Sequence, residues 1–241
     1  MKMRLCLRLT ILTFVSNLTY CQNRHSTDLN LPISDVFMKI PIENFTDANK
    51  EELLKNQRID SISDDMYATL DIDSARNILF IQSCFYECGS CPCYNYSINS
   101  YKINDSSYKI AYSSHISAIP GDGHRPVIKI YNYETKGKTL EIDSISPKEF
   151  PTLKDFFLKE TPESVIINFS DHGVEVVYYL DFDKIICEIP NADNWQLTVD
   201  PFGLFRCKWF KGNRIEMKWD GTAFVRGNII RAEIGNEKNN E

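Results

Sequence analysis

Asn77-Ile78-Leu79-Phe80-Ile81-Gln82-Ser83-Cys84-Phe85-Tyr86-Glu87-Cys88-Gly89-Ser90-Cys91-Pro92-Cys93-Tyr94-Asn95-Tyr96-Ser97-Ile98 is the stretch that decides the fold. It contains Ile78-Leu79-Phe80-Ile81, a continuous apolar run of strand length, which predicts a buried strand. Its last part alternates with period two and sets Tyr94, Tyr96 and Ile98 on one face of a second strand. Between the two, four of the eight cysteines fall within ten residues. That density calls for a covalent explanation, either disulfides or a metal.

C-terminal to this stretch, Tyr108 to Tyr112 and Val127 to Tyr131 alternate in the same way. Ile119-Pro120-Gly121-Asp122-Gly123-His124-Arg125-Pro126 separates them as a loop. Lys136-Gly137-Lys138 leads into a further strand at Thr139 to Ile142. Ser146-Pro147-Lys148-Glu149 has the form of a capping box with proline at the first helical position. Pro151 would remove a hydrogen bond inside such a helix, so two starts for its regular part stay open, Pro147 and Pro151. Leu153, Phe156, Phe157 and Glu160 follow at helical spacing, with Phe150 one turn earlier, and predict an amphipathic helix. Before the opening stretch, Asp35 to Ile40 reads as a short strand or the lead-in to a helix. Thr46 is an N-cap for a surface helix running to about Arg58, and Ser61 to Ser74 reads as acidic and irregular.

From Ser164 on, strand follows strand. Val165 to Phe169 turns through Asp171-His172-Gly173 into Val174 to Phe182. Lys184 to Ile189, Leu204 to Phe210, Arg214 to Trp219, Ala223 to Val225 and Ile229 to Ile234 complete the series. The expected class is therefore α+β and β-rich, with antiparallel sheets, one clear amphipathic helix and one or two short helices. The expected organisation is a signal peptide at 1–21, a flexible segment at 22–34 and a cysteine-rich α+β lobe at 35–160. An antiparallel meander at 161–234 and a polar tail at 235–241 follow.

The export reading comes from the first residues. Lys2, Arg4 and Arg8 precede an apolar stretch from Leu9 to Val15, and Thr19 and Cys21 offer small side chains before a cut ahead of Gln22. That stretch is short for a bilayer span, and no transmembrane span is expected elsewhere. A lipid anchor at Cys21 is the alternative, with the bulky Tyr20 against it. Removing residues 1–21 takes away three basic residues and no acid, moving the formal charge from −6 to −9. So acidic a chain is poorly matched to a phosphate backbone, which excludes nucleic acid as the expected partner.

Six cysteines then remain: Cys84, Cys88, Cys91, Cys93, Cys187 and Cys207. An even number in an oxidising compartment reads as a disulfide set. Cys187 and Cys207 occupy inward positions of two expected strands and are expected to bridge. Cys91 and Cys93 flank a proline and are too close to join without strain. Two pairings remain open, Cys84–Cys93 with Cys88–Cys91, or Cys84–Cys91 with Cys88–Cys93. The alternatives are a four-thiolate zinc site on Cys84, Cys88, Cys91 and Cys93, compressed relative to ordinary zinc spacings, and a redox pair at Cys88-Gly89-Ser90-Cys91 lacking the helix start that activates a thiol.

Gly89-Ser90-Cys91-Pro92-Cys93-Tyr94, preceded by another cysteine, resembles the Cys-x-Gly-x-Cys-Pro-x-Tyr signature of an uncharacterised family of often-exported bacterial proteins, frequent in Bacteroidota. Ile145-Ser146-Pro147-Lys148-Glu149-Phe150 is similar to the Ile-Ser-x-x-x-Phe opening of that family's helix. The resemblance covers roughly residues 77–160. Here the first cysteine, Cys88, stands one residue late, and Cys84 and Cys93 are additions. The resemblance implies a fold module and an exported, periplasmic or secreted setting, with no chemistry attached.

Among other polar groups, His25 and His172 read as solvated, and Asp122, His124 and Arg125 form the best candidate binding tip on the loop. Asp181 and Asp183 read as the start of a turn. The basic residues Arg206, Lys208, Lys211, Arg214, Lys218, Arg226 and Arg231 read as a solvated outer sheet face, with an anionic partner as the alternative. No nucleophile elbow, zinc helix, phosphate loop or dinucleotide fingerprint is present, so no cofactor is expected. The expectation is a non-catalytic binding or envelope-associated module whose partner is a protein or envelope component. The alternative is a thiol-redox or zinc protein acting through Cys84 to Cys93.

Overall fold

A computed structural model describes residues 31–63, 65–73, 77–86, 93–117, 126–144, 146–190 and 201–231. Seven strands form one antiparallel sheet in simple chain order: β1 (Arg58–Ser63), β2 (Met66–Asp73), β3 (Ile78–Phe85), β4 (Cys93–Lys102), β5 (Ser107–Ser117), β6 (Val127–Glu134) and β7 (Thr139–Asp143). Four more, β8 (Val177–Leu180), β9 (Lys184–Glu188), β10 (Arg214–Trp219) and β11 (Phe224–Ile230), form a second antiparallel meander. Helices α1 (Leu31–Lys39), α2 (Asp47–Asn56) and α3 (Glu163–Asp171) make the chain a β-rich α+β protein.

Alternation along the strands places the layers. Tyr96 and Ile98 of β4, Ile110 and Tyr112 of β5, and Tyr131 and Tyr133 of β6 turn to one face. There they meet Val36 and Phe37 of α1 and Leu53 of α2. Tyr101, Ala111 and Ile130 turn to the opposite face. They join Ile185, Cys187, Ile215 and Met217 of the smaller sheet, with Phe150, Phe156 and Phe157 closing the same core. The order is helices, seven-stranded sheet, four-stranded sheet. Polar ties cross between the sheets: Tyr101 Oη lies 3.0 Å from the Asp181 carbonyl and 3.1 Å from that of Lys184, and Asn99 Nδ2 donates to the Asp181 carbonyl at 2.6 Å.

Several expectations are corrected. The chain is already helical at Leu31, inside the segment read as flexible, because Ile33, Val36, Phe37 and Ile40 recur at helical spacing and are buried. The region read as acidic and irregular forms β1 and β2, in which Met66, Ala68 and Leu70 point inward between outward polar residues. The amphipathic helix expected after Pro147 is two 3-10 turns, Ser146–Glu149 and Leu153–Phe156. Pro151, lacking an N–H, stands between them, yet Phe150, Phe156 and Phe157 are buried as that pattern requires. Val165 to Phe169 is helical as part of α3, although its β-branched run reads as strand. Leu204 to Phe210 is no strand: it lies across a 3-10 turn, Pro201–Arg206, and a further turn closed by Phe210 N–H to the Cys207 carbonyl. Phe210 alone makes a β-bridge, with Phe157.

Thr46 caps α2 as expected, and Asn49 reciprocates to form a capping box. A capping glutamate or glutamine is the usual partner, and here asparagine takes that place. Gly212 runs so close to the end of β11 that a Cβ there would lie 2.6 Å from the Ile230 carbonyl oxygen. Only a residue without a side chain allows that approach.

Candidate functional site

The cysteine hairpin and a tyrosine-lined cleft lie at the same end of the seven-stranded sheet, on opposite faces. In the β3–β4 ladder Ser83 stands opposite Tyr94, so Cys84 and Cys93 are the next pair in register. They are joined as a disulfide with Cα atoms 4.4 Å apart, the separation typical of a non-hydrogen-bonded antiparallel pair. Of the two pairings left open by the sequence, only the first contains this bond. Cys88 and Cys91 lie outside the described residues. A zinc site needs all four sulfurs as thiolates, and the bridge removes two of them from the four-thiolate alternative. Cys84 is 5% exposed, shielded from the solvent access that a reactive thiol needs.

The expected bridge between Cys187 and Cys207 is corrected: both are free thiols. Cys187 lies inward on β9 as expected, but Cys207 follows the 3-10 turn instead of sitting on a facing strand, so the premise of two inward strand positions fails. Burial pushes the Cys187 thiol up to about 12, which leaves it protonated and inert at neutral pH. It serves the core as a small apolar side chain.

On the helix-side face, Glu43, Tyr94, Tyr96, Tyr112, Ser114 and Val127 are among the residues lining a cleft of about 90 Å³. Strand register assembles it. Tyr96 is opposite Ser114, Ser114 is opposite Val127, and Tyr112 sits one row further along, opposite Lys129. The loop between α1 and α2 brings Glu43 over this surface, and Phe45 from the same loop meets the Tyr96 ring edge-on at 5.8 Å. Burial holds the Tyr112 hydroxyl pKa up at about 12, and the nearby Glu43 charge pushes the same way. Burial, again reinforced by Glu43, raises that of Tyr96 well above the ordinary phenol. Both hydroxyls therefore stay protonated and neutral. The Lys129 ammonium lies 5.8 Å from the centroid of the Tyr112 ring.

The face toward the smaller sheet carries a polar row at this end: Thr69, Gln82, Asn95 and His115 are successive partners across β2 to β5. Gln82 Nε2 donates to Asn95 Oδ1 at 3.1 Å. The His115 ring meets Tyr179 edge-on at 5.7 Å, and its burial lowers its pKa below the usual 6.5. Nearby, the buried Asn99 Oδ1 and Ser113 Oγ have no hydrogen-bond partner.

Asp122, His124 and Arg125, the expected binding tip, lie outside the described residues, as does His25. His172 caps the C-terminus of α3, its Nδ1 2.6 Å from the Asn168 carbonyl. Asp181 turns the chain between β8 and β9 through its own carboxylate, which accepts from Phe182 N–H at 2.8 Å. Three of the seven basic residues pair with carboxylates of the fold: Arg214 with Glu188 at 2.9 Å, Arg226 with Asp155 at 2.7 Å and Lys218 with Glu216 at 4.0 Å. Sequence reasoning picked out Tyr94 and Tyr96 as sharing a face but missed Glu43, Tyr112 and Ser114 as their neighbours. The signal available was the alternation of β5, whose Tyr112 and Ser114 continue the same face. Nothing local pointed to Glu43.

Among the described residues no helix is long and apolar enough to cross a membrane, and no group of three or more histidine, cysteine or acidic side chains is placed to hold a metal. No protein family, curated protein or solved structure matches the chain.

Proposed function

We propose that the chain is an exported, disulfide-braced module that binds a partner at the cell envelope or outside it and does no chemistry of its own. The observation that carries this reading is the Cys84–Cys93 bridge between adjacent strands, with Cys84 buried. Such a bond persists where thiols are kept oxidised, and in this position it braces a hairpin. The basic, apolar start of the chain and its resemblance to an exported bacterial family support the same compartment. The cleft beside the hairpin supplies a concave surface with aromatic walls and a few convergent polar groups, the usual make-up of a small binding site.

The test is fractionation of cells expressing the full chain with a C-terminal tag, followed by intact mass before and after reduction. The expected product lies in the envelope or medium, starts at Gln22 and gains mass on reduction. A start at an acylated Cys21 would keep the export reading and replace the free form with a tethered one. Recovery from the cytosol with residues 1–21 attached and Cys84 open to alkylation would overturn the proposal.

A further inference from the structure

We propose that the tyrosine cleft receives a primary ammonium group, the end of a lysine side chain or of an alkylamine, held between Glu43 and the rings of Tyr96 and Tyr112. This inference rests on the reading of the chain as a binding module and names the chemistry of what it binds.

Size is the first argument. A cleft of about 90 Å³ is well below the roughly 300–1,000 Å³ of a pocket that encloses a drug-sized ligand, so it takes the end of a chain rather than a whole large molecule. Donor and acceptor chemistry is the second. An ammonium offers three donors and one positive charge. The lining offers the Glu43 carboxylate, the hydroxyls of Tyr96, Tyr112 and Ser114 as acceptors, and aromatic faces that attract cations. Because burial keeps the Tyr96 and Tyr112 phenols neutral, and holds the imidazole of His115, which also lines the cleft, below its usual pKa, Glu43 is the lining's formal charge at neutral pH. A carboxylate or phosphate would meet that charge with its own, whereas a neutral alcohol would gain hydrogen bonds alone.

The fold itself supplies the third argument. Lys129 already rests its ammonium 5.8 Å from the centre of the Tyr112 ring, so a cation is accepted on this aromatic surface. Lys129 approaches from the neighbouring strand and is not among the residues lining the cleft. It therefore opposes an incoming ammonium, both by repulsion and by competition for the ring. Two charge changes at the protein surface should thus act in opposite directions, a pattern that a purely structural role for the tyrosines would not produce.

The experiment is an NMR titration of the full mature chain, read at the tyrosine ring resonances, at fixed ionic strength. The probes are n-butylammonium, n-butanol, butyrate and methyl glucoside. Butylammonium is expected to shift the Tyr96 and Tyr112 signals saturably, with butanol and butyrate leaving them in place. Glu43→Gln should weaken butylammonium binding roughly tenfold, and Lys129→Gln should tighten it a few-fold. Equal binding of butanol, or a Glu43→Gln variant that binds butylammonium as tightly as the parent, would overturn the inference. Saturable binding of methyl glucoside alone would overturn the ammonium assignment while leaving the binding-module reading standing. Failure of every probe would overturn the inference as well, and the export half of the proposed function is judged separately, by fractionation.

Discussion

Lys50 carries its ammonium group into the protein, where it is 4% exposed, and donates to the carbonyls of Ile40 at 2.8 Å and Met38 at 3.2 Å. The Met38 carbonyl is in the last turn of α1 and that of Ile40 lies just past it, where a helix leaves such groups without intrahelical donors. A cation there also suits the helix dipole; burial lowers the Lys50 pKa, and the Asp47 carboxylate 3.8 Å away acts in the opposite direction. Lys50→Met keeps the aliphatic stem and removes the donor, so it should cost roughly 1–3 kcal/mol, the usual penalty for stranding buried polar groups, in urea unfolding. His115 predicts a pH effect. Its folded pKa lies below the usual 6.5 because it is buried, so the unfolded chain takes up the proton first as pH falls. The stability tied to neutral His115 is complete above 6.5 and is lost as pH drops toward the folded value. His115→Gln should flatten that part of the curve of urea midpoint against pH. An unchanged curve would show that burial does not set this titration.

At the scale of the element, the β3–β4 hairpin is held by a ladder and by one covalent bond at its loop end. The bridge closes a loop with a sequence separation of nine, and in the chain-entropy model such a closure restricts the unfolded chain by roughly 2.5 kcal/mol. Replacing both Cys84 and Cys93 by serine should lower stability by about that amount and raise amide exchange at the ends of β3 and β4 nearest the bridge. Exchange in β9 and β10, in the other sheet, should change only with the global term. Uniform loss of protection across both sheets would mean that the hairpin end has no local stability of its own to lose.

Across the whole molecule, the division at residues 160 and 161 separates the two sheets in chain order but runs through one core. Tyr101 is 2% exposed, and Ala111 and Ile130 are fully buried, on the face of the larger sheet that meets the smaller one. The Tyr101 and Asn99 hydrogen bonds to the β8–β9 turn, and that of the Trp219 indole to the Lys102 carbonyl at 3.3 Å, fix the same contact. The mature chain should therefore unfold in one transition, with tyrosine and tryptophan fluorescence and far-ultraviolet circular dichroism coincident. A chain ending at residue 160 should expose that apolar face and bind a hydrophobic dye. Two separated transitions, or a truncated chain that unfolds cooperatively and stays dye-free, would show two independent lobes.

What the sequence determined by itself was local. The alternation of Tyr94, Tyr96 and Ile98, and the identical reading of Arg214 to Trp219 as a strand, needed only the period-two pleat. Thr46 as a helix cap needed only one side chain near its own backbone. Tertiary structure decided what depends on a partner distant in the chain. The run Val165-Ile166-Ile167 became helical because Val165, Ile166 and Phe169 pack one helical face into the second core, an environment that local propensity does not contain. Cys187 and Cys207 remained apart because the chain before Cys207 winds into a 3-10 turn, with Gly203 at positive φ, instead of extending. The cleft likewise exists only because β4 and β5 lie in one register while a loop from the helical layer carries Glu43 to their end. Neighbours along the chain favour a local conformation, and packing against residues distant in sequence decides whether it is kept and what chemistry each side chain meets.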